Sequence, residues 1–600
     1  MIRLEKHYAI AFPPEAVWPV LSNTDWINRA MGLPAVEYEL AASPDGGSVV
    51  TGRSRLPIGG MHWREFPFEW QEPEFFRVHR VFESGPFTEV RLGMELRKTP
   101  DGTELVCFSE MEPRNALTAW LIRRVIGPKA DRDMRRIVAH TAEYLQGRAD
   151  VVLPDLPTHP VDESALRGGL AKLRTSGQPP DLIARLETFL REAPDVALAH
   201  IRPLVVARQW QAGEWPVVTL FLHATRSGLL DLSWEILCPN CRSSRTPVNS
   251  LRKLHRTAHC AVCQIEFDAQ FDKSVELKFA VNPAVRPREE QTFCLAGPGG
   301  TPHVIGQLWL QPGETRTTSW PQPPRALRLR SPQVAGSVTL EASEGAAPGS
   351  LLAVVCGAAG FRLQREAGGA EATARFTNPN SFPVQISLEQ LGWGDDILTA
   401  ARATNWQEFR DLFASEVISP AEEITVGAQV VLFTDLRGST ALYHGLGDAP
   451  AYARVRDHFA VLSGAIGSHH GCVVKTIGDA VMATFSRVDE ALAAVREMHR
   501  ALGATNDQGV EPLVLKSSLH VGPCLAVNAN ERLDFFGTTI NLAARMVGCC
   551  EGGDLAVSDE LFRRPEMAAF LPACPAPPEP SEVRFRGFAE PHLVWRLAMG

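Results

Sequence analysis

Over the first 148 residues, apolar and polar side chains alternate in SVVTGRSRL (48–56), FFRVHRVFE (75–83), TEVRLGMELRK (88–98) and ELVCFSEME (104–112). A period of two predicts half-buried strands. IRLEKHYAIAF predicts a strand before them, and Pro13 and Pro14 mark a helix start, where a missing N–H costs nothing. From Ala116 to Leu145 the period lengthens to that of an amphipathic helix. A Pro- and Asp-rich linker is expected over 151–164. After it, ALRGGLAKLRTS, DLIARLETFLREA and WPVVTLFLHATRSGLL carry apolar residues at helical spacing. Short strands between Pro and Gly turns, from VELKFAV to PVQISLEQ, predict a β-sandwich over 273–395. A helical connector (396–427) then leads to a mixed α/β unit at 428–600.

The chain has 600 residues, and at about 150 per domain this length predicts roughly four domains. Its 60 basic and 69 acidic residues give a formal charge of -9, mild for the size, so charge favours neither nucleic acid nor an anionic membrane. No apolar run approaches the roughly 20 residues of a membrane span, and the N-terminus lacks the apolar core of a signal peptide, so a cytoplasmic protein is expected. In that setting the 12 cysteines are expected to be reduced or metal-bound.

Cys238 and Cys241 form one two-residue knuckle and Cys260 and Cys263 another. Four thiolates at this spacing suit one tetrahedral Zn²⁺, a zinc ribbon whose expected role is structural. His255 and His259 lie nearby, but four thiolates already close such a site. GPGGTP (297–302) lacks the Lys and Ser or Thr of a phosphate loop and is expected to be a plain turn.

The chemistry concentrates in VVLFTDLRGST (430–440), KTIGDAVMATF (475–485) and DFFGTTINLAARM (534–546). Asp435 ends an apolar strand and Asp479 follows Gly478 in a hairpin turn; two carboxylates brought together can hold Mg²⁺ or Mn²⁺. The turn with Gly438, Ser439 and Thr440 opens a helix whose free N–H groups suit phosphate. Lys475 can donate to an adenine ring nitrogen while Asp534 accepts from its amino group. Asn541 and Arg545, four apart, share one helix face.

These three segments resemble the catalytic domain of class III nucleotide cyclases, whose ferredoxin-like α/β fold the order of elements from 428 matches. The resemblance implies that Asp435 and Asp479 are the metal carboxylates of a two-metal site, with the Leu436 carbonyl completing the shell. It implies that Lys475 and Asp534 select ATP, and that Asn541 orients the ribose while Arg545 stabilises the developing negative charge. Arg586, in FRGFAEP, stands where the family usually has a phosphate-binding Lys. The family builds each site across a dimer interface, and one chain here carries both residue sets, so a homodimer is expected. Adenylate cyclase is the expected activity; guanylate cyclase and a silent nucleotide-binding or interaction module are the alternatives. Residues 1–150 resemble, in element order, the helix-grip fold of START-like and polyketide-cyclase-like proteins. That likeness implies a hydrophobic ligand pocket between sheet and last helix, unless Trp18, Trp63 and Phe68 simply fill a core.

Overall fold

A computed structural model of the chain describes residues 1–600 apart from 45, 57–58, 149–155, 157, 244–246, 289–290, 320–325, 341–349, 368–372, 393–395, 440–443, 445–446, 507–512 and 600. Among the described residues no helix is long and apolar enough to cross a membrane. Of the expected linker, residues 151–155 and 157 fall outside them, and its last two residues, Glu163 and Ser164, already belong to a helix.

The N-terminal unit is an antiparallel sheet with three helical segments packed on it. Ile2–Ile10 pairs with Gly102–Pro113, which pairs with Phe87–Thr99 and then Phe75–Ser84, so the first strand lies beside the last. The sheet continues through Gly59–Glu65, Ser48–Leu56 and Glu37–Ala42. After the first strand come the helices Pro14–Leu21 and Thr24–Ala30, the second capped by Asn23, whose side chain accepts the Trp26 N–H. The closing segment is helical from Ala116, passes a π turn at Ile122–Ile126 and continues as Gly127–Leu145. Its inward face, Met134, Ile137 and Val138, packs on Tyr8, Trp18, Met94 and Leu105. Between sheet and last helix, where the ligand pocket was expected, these side chains meet in one apolar cluster. A cavity of about 1120 Å³ opens elsewhere, where Phe68 and Trp70 meet Arg202, Val205 and Lys278 of the next unit and Gln307 and Arg330 of the sandwich.

GPGGTP is a single 3₁₀ turn, as expected, and its glycines have a steric reason. A Cβ on Gly297 would lie 1.9 Å from Thr24 Oγ1, and one on Gly299 would lie 2.7 Å from Asn23 Cα. The loop is pressed against the start of the helix Thr24–Ala30.

The central unit holds the helices Glu163–Arg174, Pro180–Glu192 and Glu214–Arg226 that the periodicity predicts, with two short ones, Asp195–Ala199 and Pro203–Gln209, between them. Its boundary differs from the expected one. Val275–Val281, expected to open the sandwich, instead pairs with Leu230–Ile236 (Leu277 opposite Trp234). Every residue of Val275–Val281 except Lys278 is buried, which fits a strand packed on both faces rather than a sandwich strand with a wet side. The sandwich proper forms from Val304 onward: Leu308, Leu329 and Ile386 of one sheet meet Val354, Cys356 and Phe376 of the other. The first of these sheets is continuous with the N-terminal one, through Gly306 opposite Gln71.

The expected helical connector consists of two short helices, Ala400–Thr404 and Gln407–Leu412, and the next strand begins at Ile424 rather than 428. That strand, Ile424–Leu436, is central in a sheet ordered Cys472–Ile477, Ala480–Phe485, Ile424–Leu436, Leu515–Ala529, Asp554–Ser558, His592–Ala598, Glu579–Val583. Both its faces are buried. Val430 and Leu432 pack beneath the helices Asp448–Ser468 and Val488–Asn506, with Leu462, Ile466, Val495 and Met498. Val431 and Phe433 point the other way, into a core with Ile540, Phe535, Phe409, Phe279 and Phe221. The central unit, the connector and one face of this sheet thus share one apolar core. Asp554–Ser558 and two short helices after it are additions to the expected element order.

Candidate active site

The two aspartates meet because of register. Ile424–Leu436 runs antiparallel to Ala480–Phe485, with Phe433 opposite Met482. Two residues further along the same strand, Asp435 comes close enough to Asp479 to feel its charge. Between these positions Val481 donates its N–H to the buried Thr434 hydroxyl at 3.1 Å. Ile477 pairs with Ala480, so Gly478 and Asp479 form a two-residue hairpin loop. Gly478 has φ +65°, the left-handed conformation such a turn demands at its first position, and Asp479 does not share it. This is the hairpin that KTIGDAVMATF predicts.

Burial, and next the charge of Asp479, push the Asp435 carboxyl up from its ordinary value; Lys516 and the Leu436 N–H oppose the shift. Lys516 Nζ lies 3.9 Å from Asp435 Oδ2. Asp479 Oδ2 is buried with no hydrogen-bond partner. An orphaned carboxylate oxygen beside a second carboxylate is the donor set that a divalent cation completes. His458, also buried, sits near Asp479, and burial lowers its imidazole to about 4, so it is neutral. Neither Lys516, Thr434 nor His458 stood out in the sequence, because each occupies an ordinary strand or helix position and acquires its neighbours only through pairing.

Leu436 is buried at the strand end; Gly438 lies in the turn after it, Ser439 is already helical, and Thr440 lies outside the described residues. Lys475 Nζ donates to Asp534 Oδ2 at 2.6 Å, joining strands 59 residues apart. Asp534 is buried, and its other oxygen accepts the Phe535 N–H at 2.8 Å. Asn541 and Arg545 are exposed on the helix Thr538–Met546, which buries Ile540, Leu542, Ala543 and Met546. Arg545 lies over the Phe588 ring at 5.8 Å, and the exposed Arg586 is in the turn beside it: a Cβ on Gly587 would be 3.8 Å from Arg545 Nη2. Within one chain, these contacts group Asp435 with Asp479, Lys475 with Asp534, and Arg545 with the Arg586 turn.

Residues 421–570 match the family model of the adenylate and guanylate cyclase catalytic domain. The C-terminal unit is a class III nucleotide cyclase domain. Residues 164–291 match a second family, one of unknown function. An adenylate cyclase of Anabaena cylindrica is 29% identical over 215 residues, 32% of this chain and 41% of that protein. Adenylate cyclase 2 of Rhizobium meliloti is 27% identical over 179 residues, 27% of this chain and 49% of that protein. The chain thus spans less than half the length of these relatives. Among solved structures, the adenylyl cyclase CyaB from P. aeruginosa aligns over 30% of this chain and 96% of its own, at 22% identity and a TM-score of 0.26. The guanylyl cyclase Cya2 aligns over 29% and 93%, at 24% identity and a TM-score of 0.25.

A second cluster lies outside the cyclase domain. The sulfurs of Cys238, Cys241, Cys260 and Cys263 all lie within 4.8 Å of one another. The two knuckles repeat one geometry: Arg242 N–H bonds to the Cys238 carbonyl and Gln264 N–H to that of Cys260, with φ +51° at Arg242 and +53° at Gln264. Asn240 and Cys263 aim N–H groups at Cys238 Sγ and Cys260 Sγ, each at 3.4 Å. Such donors stabilise thiolates, the form that ligates metal. His255 instead pairs with Glu422 at 3.1 Å, and His259 is exposed.

Proposed function

We propose that the protein is an adenylate cyclase, converting ATP to 3′,5′-cyclic AMP and pyrophosphate. The observation that carries the choice of base is the Lys475–Asp534 pair at 2.6 Å. A cationic donor facing the adenine ring nitrogen and a carboxylate facing the amino group complement adenine, whereas guanine places a donor and an acceptor in the opposite order. Both curated relatives described above are adenylate cyclases, in keeping with this reading.

Asp435 and Asp479, with the Leu436 carbonyl, would hold Mg²⁺ or Mn²⁺; the bound cations neutralise the triphosphate and ease ionisation of the 3′ hydroxyl. The segment Gly438–Ser439 faces phosphate with backbone donors. Arg545, with Arg586 beside it, offers positive charge for the developing oxyanion, and Asn541 holds the ribose. The site is completed by a second copy, whose Asn541 and Arg545 face this chain's metal carboxylates in a homodimer. Upstream, the four-cysteine cluster binds a structural Zn²⁺, and the N-terminal order of a strand, two helices, an antiparallel sheet and a long last helix supports a START-like regulatory role.

Purified full-length chain, given ATP with Mn²⁺ or Mg²⁺, is expected to form cyclic AMP, and Asp479→Ala to form none. A parallel GTP reaction tests the base. Cyclic GMP as the main product would replace this reading with guanylate cyclase, and no product from either nucleotide would leave a nucleotide-binding module.

A further inference from the structure

The helix Gln407–Leu412 touches both strands that carry the Lys475–Asp534 pair. Gln407 Oε1 accepts the Val473 N–H at 3.0 Å. Val473 lies on the edge strand of the sheet, where an outward N–H meets no further strand. The register breaks immediately afterwards, since Val473 pairs with Ala483 and Lys475 with Met482. Val474 is therefore the extra residue of a bulge, and a bulge re-aims the side chains next to it. Lys475 takes its direction from this bulge, and Gln407 fastens the bulge at its start.

One helical step on, Arg410 holds the other strand. Its Nη1 donates to the Leu533 carbonyl at 2.9 Å, its Nε to the Thr404 carbonyl at 2.8 Å, and its guanidinium lies over the Phe535 ring at 5.8 Å. Leu533 and Phe535 are the two neighbours of Asp534. Gln407 and Arg410 are three apart, so they leave the helix on one side. The helix is backed by the unit at 164–291. Trp406 stacks on Trp215 with centroids 4.4 Å apart and donates to Thr219 Oγ1 at 3.2 Å, Glu408 meets His223 at 2.6 Å, and Phe409 meets the edge of Trp234.

We propose that Gln407 and Arg410 are positioning residues that fix Lys475 against Asp534, and thereby set the preference for adenine over guanine. The proposal rests on the reading of that pair as the base-selecting groups. Neither residue touches the nucleotide. Each holds the backbone beside a residue that does, and the helix carrying both is anchored in the family of unknown function upstream.

The test is equilibrium binding by the full-length chain, measured by calorimetry with Mn²⁺ and either 3′-deoxyATP or 3′-deoxyGTP, which lack the attacking hydroxyl. The parent is expected to prefer 3′-deoxyATP. Gln407→Ala and Arg410→Ala are each expected to lower the affinity ratio about tenfold, the scale of one net hydrogen bond, with Mn²⁺ affinity unchanged. Arg410→Lys, which can reach only one of the two carbonyls, should fall between. Cooperative melting of each variant accompanies the measurement, and Gln407→Ala carries the test alone should Arg410→Ala not fold. A ratio within twofold of the parent in folded variants overturns the proposal. A parent that binds both analogues equally overturns it together with the adenine assignment. A parent that prefers the adenine analogue yet makes no cyclic AMP removes the cyclase reading and leaves the positioning role standing.

Discussion

Val481 gives its backbone N–H to the Thr434 hydroxyl at 3.1 Å, one residue before Asp435 and two after Asp479. In most of this pairing the backbone alone sets the register; here a buried side chain joins the ladder where the two carboxylates must meet. Thr434→Val keeps the shape and β-branching and removes the acceptor. The buried N–H left behind costs about 1–3 kcal/mol. The expected outcome is a modest drop in melting temperature with a larger loss of Mn²⁺-dependent turnover and weaker Mn²⁺ binding. Turnover equal to the parent's would show that the backbone register suffices without this bond.

The carboxylate pair also destabilises the metal-free fold. Burial first, and the charge of Asp479 second, raise the Asp435 carboxyl in the folded state above its unfolded value. For an acid raised in this sense, the folded chain binds the proton more tightly, so stability falls as pH climbs through the carboxylate range and the penalty is complete above the folded value. Asp435→Asn is therefore expected to melt higher than the parent at neutral pH without metal, and the gap to close as pH falls below that range. Mn²⁺ should raise the melting temperature of the parent and not of the variant. Thermal melts at several pH values, with and without Mn²⁺, decide it; a variant less stable than the parent at neutral pH contradicts the account.

How much of this was legible in the sequence varies with the range of the interactions involved. The Gly478–Asp479 turn could be read because a two-residue loop needs one glycine at one place, and VVLFT could be read because a strand buried on both faces is apolar throughout. The partner of Val275–Val281 could not, because an apolar strand looks the same whichever sheet receives it. Trp18 and Phe68 were legible as buried; the cluster they join under the last helix depends on Met94, Leu105 and Ile137 arriving from separate elements. Lys516, Gln407 and Arg410 were invisible for a similar reason: a charged or amide residue gains its role only when a distant strand stops beside it.

Arg286 is another such residue. It is fully buried, its Nε donates to Asp195 Oδ1 at 2.9 Å and its Nη1 to the Leu190 carbonyl at 3.1 Å. Asp195 is itself fully enclosed and also accepts the His159 N–H at 3.0 Å. Removing one partner of a buried pair leaves an uncompensated charge, at a cost of about 3–5 kcal/mol. Arg286→Met should therefore strongly destabilise the unit at 164–291, whereas the double change Arg286→Met with Asp195→Leu should recover part of the loss. Chemical denaturation of the parent and both variants checks this, and a single variant as stable as the parent would contradict the pair's structural role.

The four-cysteine cluster calls for a direct metal assay. Four sulfurs within 4.8 Å of one another cannot all be thiolates without a cation between them, and the N–H groups aimed at two of them stabilise the charged form. Purified protein is expected to contain one Zn²⁺ per chain by elemental analysis, and Cys260→Ser to contain much less. Stripping the metal with a strong chelator should lower the melting temperature and loosen the segment 238–268, read by proteolysis. The apolar support around the cluster is thin, Val262, Ile265 and Phe267 being only partly buried around the cysteines, so a bound metal would supply much of the segment's order. Metal-free protein that melts as the parent does would make the cluster a reduced thiol core instead.

The proposed completion of the site by a second copy makes a quantitative prediction. On that proposal Asp479→Ala removes a metal carboxylate and Arg545→Ala the charge offered to the partner's site, so each homodimer is expected to be nearly inactive. In a mixed dimer both lesions fall in one site and the other site is intact. Random exchange at equal concentrations makes half the dimers mixed, each with one working site of two, so activity should return to roughly a quarter of the parent's. Recovery must depend on subunit exchange: it should grow on incubation and vanish when the two variants are assayed at once after mixing at high dilution. No recovery, with exchange demonstrated by labelled chains, would place both residue sets in one chain's own site.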